Sequence, residues 1–273
     1  MNHHMKAPLS DACGARPRTA LLLAAGMGSR LSPLTDSTAK CLIPLSGIPI
    51  LERLVRTLIS YDFRRLVIVV GHEADSIRDY LGDHSNDIEI DYVVSSRYRT
   101  TNNIYSLWLA RRVINEPFLL IESDLVFEES LLEEMLKADR VAVSRQLPWM
   151  NGTTVMLDGR GGISAFCLGE MSPPDAMHYK TVNMYSFSRS TWIEICKRLD
   201  GYIKAGRTAD YYESVFADMV ADGSLVLAPV LFDADSWYEI DTVTDLAAAE
   251  LVFPRYSSTA RIEVEHKAAG AAG

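Results

Sequence analysis

Residues 20–40 read ALLLAAGMGSRLSPLTDSTAK, and this stretch decides the fold class. Its apolar opening, Ala20 to Ala25, has the composition of a buried parallel strand. Gly26 and Gly28 follow at once, where glycine lets a backbone turn sharply and aim its N–H groups at phosphate oxygens. Arg30 and Lys40 add a planar cationic fork and a point charge to the same loop, a pairing suited to a triphosphate. A Walker A loop is excluded, because Leu31 stands where its second glycine belongs. A dinucleotide fingerprint is excluded by the same residue, which replaces the third glycine. A short Gly-x-Gly after a strand is also what an ordinary strand-to-loop turn contains, so the rest of the chain has to support a nucleotide grip.

The 273 residues are 48% hydrophobic and 23% charged, enough for one large α/β domain. A net charge of −9 argues against a general nucleic-acid binder, and no membrane association is expected. Cys13, Cys41, Cys167 and Cys196 lack metal-finger or disulfide-framework spacing, and reduced thiols are expected. No apolar run has membrane-spanning length, and Met1 to Arg18 lacks the apolar stretch of a signal peptide, so a soluble, cytoplasmic protein is expected.

Three units follow from composition: a disordered segment over 1–18, a single domain over 19–253, and an Ala/Gly-rich tail over 254–273. Within the domain, helical spacing of Ile50-Leu51, Leu54-Val55 and Leu58-Ile59 predicts a helix over 49–61. Strands are predicted at 66–70, 88–94 and 118–121, alternating with helices at 73–81 and 103–114. This alternation predicts a doubly wound, Rossmann-like, mostly parallel sheet whose site lies at the strand C-terminal ends. Residues 140–187 instead read as strands 141–143, 154–157, 163–168 and 182–187 divided by turns at 159–162 and 171–175, a mixed or antiparallel flank on the acceptor side. Helices at 190–205, 209–221 and 243–252 and strands at 225–229 and 237–240 complete the pattern.

Asp124 ends a central strand, and strand alternation puts Glu239 and Asp241 on one face near the end of another. Hard carboxylates converging from separate strands suit Mg²⁺, although Asp124 and Asp241 are each also placed to cap a following helix. Asn102 is a natural N-cap, while the Asn103 amide offers the donors and acceptor a cytosine edge needs. Lys180 reads equally as a contact for an acceptor phosphate or as a solvated strand-end lysine. Helical spacing assigns Tyr211 and Tyr212 to a buried face and leaves Asp210 and Glu213 as candidate contacts for a cationic headgroup. His72 is not needed as a base, because a phosphate or phosphonate nucleophile is already anionic.

The longer pattern Gly26-x-Gly28-x-Arg30-Leu31-x-Pro33-Leu34-Thr35, with Lys40 and Pro44, resembles the signature loop of the nucleotidyltransferases that make nucleoside-diphosphate sugars and CDP-alcohols. Ala39 departs from that pattern, where the family usually has proline. Asn102-Asn103-Ile104-Tyr105-Ser106-Leu107 and the late Tyr238-Glu239-Ile240-Asp241 are similar to the cytidylyltransferases that charge phosphocholine or 2-aminoethylphosphonate. The likeness covers roughly residues 19–252. It implies a Mg²⁺-dependent transfer of CMP from CTP to a small phosphonate or phosphate acceptor. It further implies Arg30 and Lys40 as catalytic cations, Asp124 and Asp241 as metal ligands and Glu239 as a secondary one. Residues Ala25, Gly26, Met27, Gly28 and Ser29 would then hold the nucleotide, with Gly71 and Asn103 lining its base. The chain has Phe166-Cys167-Leu168-Gly169-Glu170-Met171 where the sugar-phosphate enzymes usually carry Glu-Lys-Pro. A sugar-1-phosphate or inositol-1-phosphate enzyme is the alternative within the family, and a non-catalytic nucleotide-binding subunit the alternative outside it.

Overall fold

The computed structural model describes residues 16–85, 88–148, 150–169, 178–253 and 264–265. Its first strand, β1 (Thr19–Ala24), is buried along its whole length. Ala20, Leu22 and Ala24 enter one hydrophobic cluster, and Leu21 and Leu23 enter another on the opposite side. A strand apolar on both faces needs cover on both, and this one becomes the centre of the sheet. Two single turns of 3-10 helix, Ser29–Leu31 and Lys40–Leu42, lead to the short hairpin β2 (Pro44–Leu45) and β3 (Ile48–Pro49) and to α1 (Ile50–Ser60).

The chain continues through β4 (Arg65–Val70), α2 (Ala74–Leu81), β5 (His84–Ser85), β6 (Ile88–Val94), α3 (Asn103–Ala110) and β7 (Phe118–Glu122). A second ribbon strand, β8 (Leu125–Phe127), and a 3-10 segment at Glu129–Leu136 precede β9 (Arg140–Arg145). Then come β10 (Thr154–Leu157), β11 (Ile163–Cys167), β12 (His178–Phe187), α4 (Arg189–Lys204), α5 (Glu213–Ala221), β13 (Ala228–Phe232), β14 (Trp237–Glu239), α6 (Val243–Val252) and β15 (Val264–Glu265).

The main sheet has eleven strands, with the path β11-β10-β12-β7-β1-β4-β6-β5-β15 and β9 branching from β12 to carry β13. Strands β7, β1, β4 and β6 are mutually parallel. Sense reverses at β12, which runs antiparallel to β7, β9 and β10. The expected mostly parallel, doubly wound sheet with an antiparallel flank is therefore the observed one. Helix α1 packs its Leu51, Leu54, Val55 and Leu58 on one sheet face, while α3, α4 and α5 bury Leu107, Trp192 and Phe216 on the other.

Differences from expectation have local causes. Helix α3 stops at Ala110, and Arg112, Val113 and Ile114 close a tighter turn through bonds to Leu109 and Ala110 carbonyls. The strand expected at 225–229 lies at Ala228–Phe232, because pairing with β9 selects the register Ala228↔Arg140 over the apolar run Leu225-Val226-Leu227. Helix α5 begins at Glu213 rather than at Ala209. Strand β8 was unexpected, because Leu125-Val126-Phe127 is too short to carry a period. Residues 1–15, the expected turn at 171–175 and most of 254–273 lie outside the described residues.

The end of β4 approaches the opening loop closely. A Cβ on Gly71 would sit 2.7 Å from the Ala25 carbonyl oxygen and 2.8 Å from Tyr98 Cβ, and the His72 N–H donates to that same carbonyl at 3.1 Å. Gly71→Ala should therefore lower unfolding free energy by about 1–3 kcal/mol, the range for overpacking a close contact. Urea denaturation measures this, and a variant as stable as its parent would show that the approach relaxes without cost.

Candidate functional site

The opening loop is held by its own hydrogen bonds. Gly28 adopts φ 61°, ψ 29°, and a Cβ there would lie 3.1 Å from Thr35 Cγ2 and 3.2 Å from Lys40 Cβ. Both the left-handed backbone and the close packing require glycine. Leu31 N–H and the Thr35 hydroxyl donate to the Gly28 carbonyl at 2.9 and 2.8 Å, folding the loop back so that Lys40 returns beneath it. Leu31 is fully buried and anchors the turn against Leu45, Ile50 and Ile240.

The acids come from a two-stranded ribbon at the C-terminal edge of the sheet. Strand β8 pairs antiparallel with β14, and the Ile240 N–H donates to the Asp124 carbonyl at 2.9 Å. This bond brings Asp124 beside Asp241. One carboxylate oxygen from each of Asp124, Glu239 and Asp241 lies within 4.8 Å of the others. Neither aspartate caps a helix. The N-cap of α6 is Thr242, whose hydroxyl accepts from Asp245 N–H while Asp245 accepts from the Thr242 N–H, and Asp124 sits in the turn between β7 and β8.

Cations from the loop meet these acids. Lys40 Nζ lies 2.6 Å from Asp124 Oδ2 and 2.8 Å from Asp241 Oδ1, and Arg30 Nη2 lies 2.7 Å from the same Asp241 oxygen. Burial alone would lower the Lys40 pKa, but Asp124 and Asp241 outweigh it and hold the ammonium above its ordinary value. Asp124 Oδ1 is buried with no hydrogen-bond partner among the described residues. An orphaned carboxylate oxygen within a cluster of hard oxygen donors is what an oxygen-ligated divalent cation fits.

The cleft above these charges encloses about 570 Å³. Ala25, Gly26, Gly28, Ser29, Arg30 and Lys40 line one side, and Lys180, Glu213, Glu239 and Asp241 line the other. Most of the sequence-derived candidates therefore meet in one place. Three do not line it. Met27 points outward and is 40% exposed, Gly71 lies behind Ala25, and Asp210 bonds Arg207 at 2.7 Å outside the cleft. Lys180 is not a solvated strand-end lysine: it is 2% exposed, donates to the Thr181 carbonyl at 2.8 Å and pairs with Glu239 at 3.2 Å. Tyr212 is buried as expected, whereas Tyr211 is 57% exposed and lines the cleft, because α5 begins only at Glu213.

Asn103 lines the cleft but its amide is engaged by the protein. Its Oδ1 accepts from Tyr212 N–H at 3.0 Å, and its Nδ2 faces Glu122 Oε1 at 3.4 Å. Asn102 caps α3, as expected. Sequence reasoning missed Glu122 and Asn183, both of which line the cleft. Glu122 carried a signal, since it stands two residues before Asp124 at the end of the same strand. Asn183 carried none, because it interrupts the alternation of its own strand.

Residues 19–146 match the family model described as nucleotidyl transferase. The chain is 33% identical over 251 residues to the CMP-5'-(3-aminopropyl)phosphonate synthase of Streptomyces rubellomurinus, covering 88% of this chain and 39% of that protein. It is 27% identical to the 2-aminoethylphosphonate cytidylyltransferase of Lancefieldella rimae, covering 86% of this chain and 92% of that one. In fold it is similar to the CTP:phosphocholine cytidylyltransferase of Streptococcus pneumoniae, with a TM-score of 0.68 at 20% identity, covering 87% of this chain and 99% of that structure. The stretch that matches the nucleotidyl transferase model contains the opening loop, Lys40 and Asp124. The chain spans 39% of the length of its Streptomyces relative.

Burial holds the Glu213 carboxyl at about 7, above its ordinary value of 4.5. The native state therefore keeps a proton that the unfolded chain releases between these values, so this residue's contribution to stability falls as pH rises from about 4.5 to about 7. Glu213→Gln should flatten that part of the stability profile. Denaturation midpoints across the window measure it, and an unchanged slope in the variant would remove Glu213 as its source.

Proposed function

We propose that the protein is a cytidylyltransferase that uses Mg²⁺ to transfer CMP from CTP to a small phosphonate or phosphate acceptor, with release of pyrophosphate. The observation that carries this reading is the convergence of Arg30 and Lys40 with Asp124 and Asp241 at the mouth of a polar cleft. The activities for which the Streptomyces and Lancefieldella relatives are named support the cytidylyl donor and the phosphonate acceptor.

In this reading the loop from Ala25 to Ser29 presents its backbone to the triphosphate, and Arg30 and Lys40 stabilise the charge that develops on it. Asp124 and Asp241, with Glu239 as a further ligand, would hold Mg²⁺, which would supply positive charge to neutralise the triphosphate. An acceptor oxygen forms a bond to the α-phosphorus as the bond to the β-phosphate oxygen breaks, and its electron pair leaves with pyrophosphate. No side chain has to remove a proton, because the acceptor oxygen is already anionic near neutral pH. The chain's part is to place two anions in line and to screen their repulsion.

Asn103 contributes a wall of the base pocket and ties α3 to α5, since its amide is already bonded on both sides. Lys180, on β12 in the antiparallel half of the sheet, and Glu213, at the start of α5, line the acceptor side of the cleft. Lys180 brings a buried positive charge suited to a phosphonate, and Glu213 a carboxyl suited to an amine.

Lys40→Ala and Asp124→Asn should each lower pyrophosphate release from CTP and 2-aminoethylphosphonate by about 10²- to 10³-fold, the scale for removing one charge-stabilising group. Circular dichroism serves as the folding control. Near-parental turnover in both variants would overturn the mechanism. A panel that crosses CTP and UTP with 2-aminoethylphosphonate, phosphocholine, inositol-1-phosphate and glucose-1-phosphate tests the substrates, and a preference for glucose-1-phosphate would overturn the acceptor class.

A further inference from the structure

Strand β12 contains an irregularity at the cleft. Its register with β9 passes from Thr181↔Val143 to Tyr185↔Val141, so four residues of β12 advance while two of β9 do. The excess bulges around Asn183, which adopts φ 56°, left-handed backbone that asparagine tolerates better than most side chains. The bulge turns Asn183 into the cleft, out of the in-and-out alternation of the strand. Its amide then has a fixed orientation: Oδ1 accepts from the Thr181 hydroxyl at 3.0 Å, and Nδ2 donates to Glu239 Oε1 at 3.0 Å. Lys180 Nζ approaches the other carboxylate oxygen, Oε2, at 3.2 Å. Glu239 is thus gripped at both oxygens by residues of one strand, one just before the bulge and one within it.

We infer that Asn183 is a positioning residue, whose bulged backbone and amide donor aim Glu239 at Asp124 and Asp241 and so set the geometry of the three-carboxylate cation site. The inference rests on the reading of those acids as the Mg²⁺ site. A like-charged cluster does not hold itself together. Without a donor at Oε1, Glu239 has reason to rotate away from Asp124 and Asp241, toward water or fully onto Lys180. A bond of Asn183 type, from a neighbour to a metal-binding carboxylate, is worth about 10- to 100-fold in metal affinity in other sites.

Two substitutions separate the amide from the backbone. Asn183→Gly deletes the amide while accepting the left-handed backbone freely. Asn183→Ala deletes the amide and also strains that backbone. Mn²⁺ binding to the nucleotide-free protein, followed by loss of the free-ion electron paramagnetic resonance signal, should weaken by about 10- to 100-fold in both variants. Thermal denaturation should show Asn183→Gly melting close to the parent and Asn183→Ala melting lower. In turnover assays, Asn183→Gly should need correspondingly more Mg²⁺ for half-maximal rate, with the KM for CTP at saturating Mg²⁺ little changed. Parental Mn²⁺ affinity in Asn183→Gly would overturn the inference, leaving Asn183 as a residue chosen for its backbone alone. A parent protein that binds no Mn²⁺ would instead overturn the metal-site reading itself, and this inference with it.

Discussion

The site depends on one ammonium group placed between two carboxylates. Lys40 Nζ reaches Asp124 and Asp241 from a 3-10 turn that the folded loop returns to the cleft. Asp124 and Asp241 belong to strand ends that are remote in sequence, and two half-buried like charges this close repel each other unless a cation lies between them. Lys40 supplies that cation from the same loop whose glycines present the backbone, so the grip and the acids are positioned by one set of contacts. The ion pair is nevertheless only as good as its packing. Leu31, Leu45 and Ile240 form the small apolar cluster beneath it, and that cluster keeps the loop from lifting.

The fold was legible because its signals are local and periodic. Strand β1 announces itself by an apolar run that no amphipathic helix would have, and α1 by apolar pairs at helical spacing. The sheet's changes of partner were not legible, since pairing is decided between strands. Strand β13 shows this: its most apolar neighbours, Leu225 and Leu227, serve the core, while the strand takes the residues that match β9. Strand β8 shows it again, being three residues long and defined only by β14.

The same division runs through the site. The loop, Lys40, Asp124 and Asp241 could be read in the chain because each has an unusual residue type at a strand end. Lys180 and Glu239 could be named, but not as each other's partners, and the solvated reading of Lys180 fails because its strand is paired on both sides, with Ser144 of β9 and Thr154 of β10, and its ammonium meets Glu239. Asn183 was invisible: an asparagine inside an apolar run looks like an interruption, and its value comes from a backbone angle that no single residue type encodes. Asp210 erred in the other direction, since its neighbour Arg207, three residues earlier, claims it on the surface.

The hydrogen bond from Ile240 to the Asp124 carbonyl has a thermodynamic consequence. By joining the two ribbon strands at the point where their aspartates emerge, it makes folding itself assemble the negative charge. On the proposed reading, a cation entering the cleft would find its ligands already gathered, the entropy of collecting them having been met by the β8–β14 ribbon and the core below. Binding energy that would otherwise be consumed in ordering ligands remains available to orient the phosphates.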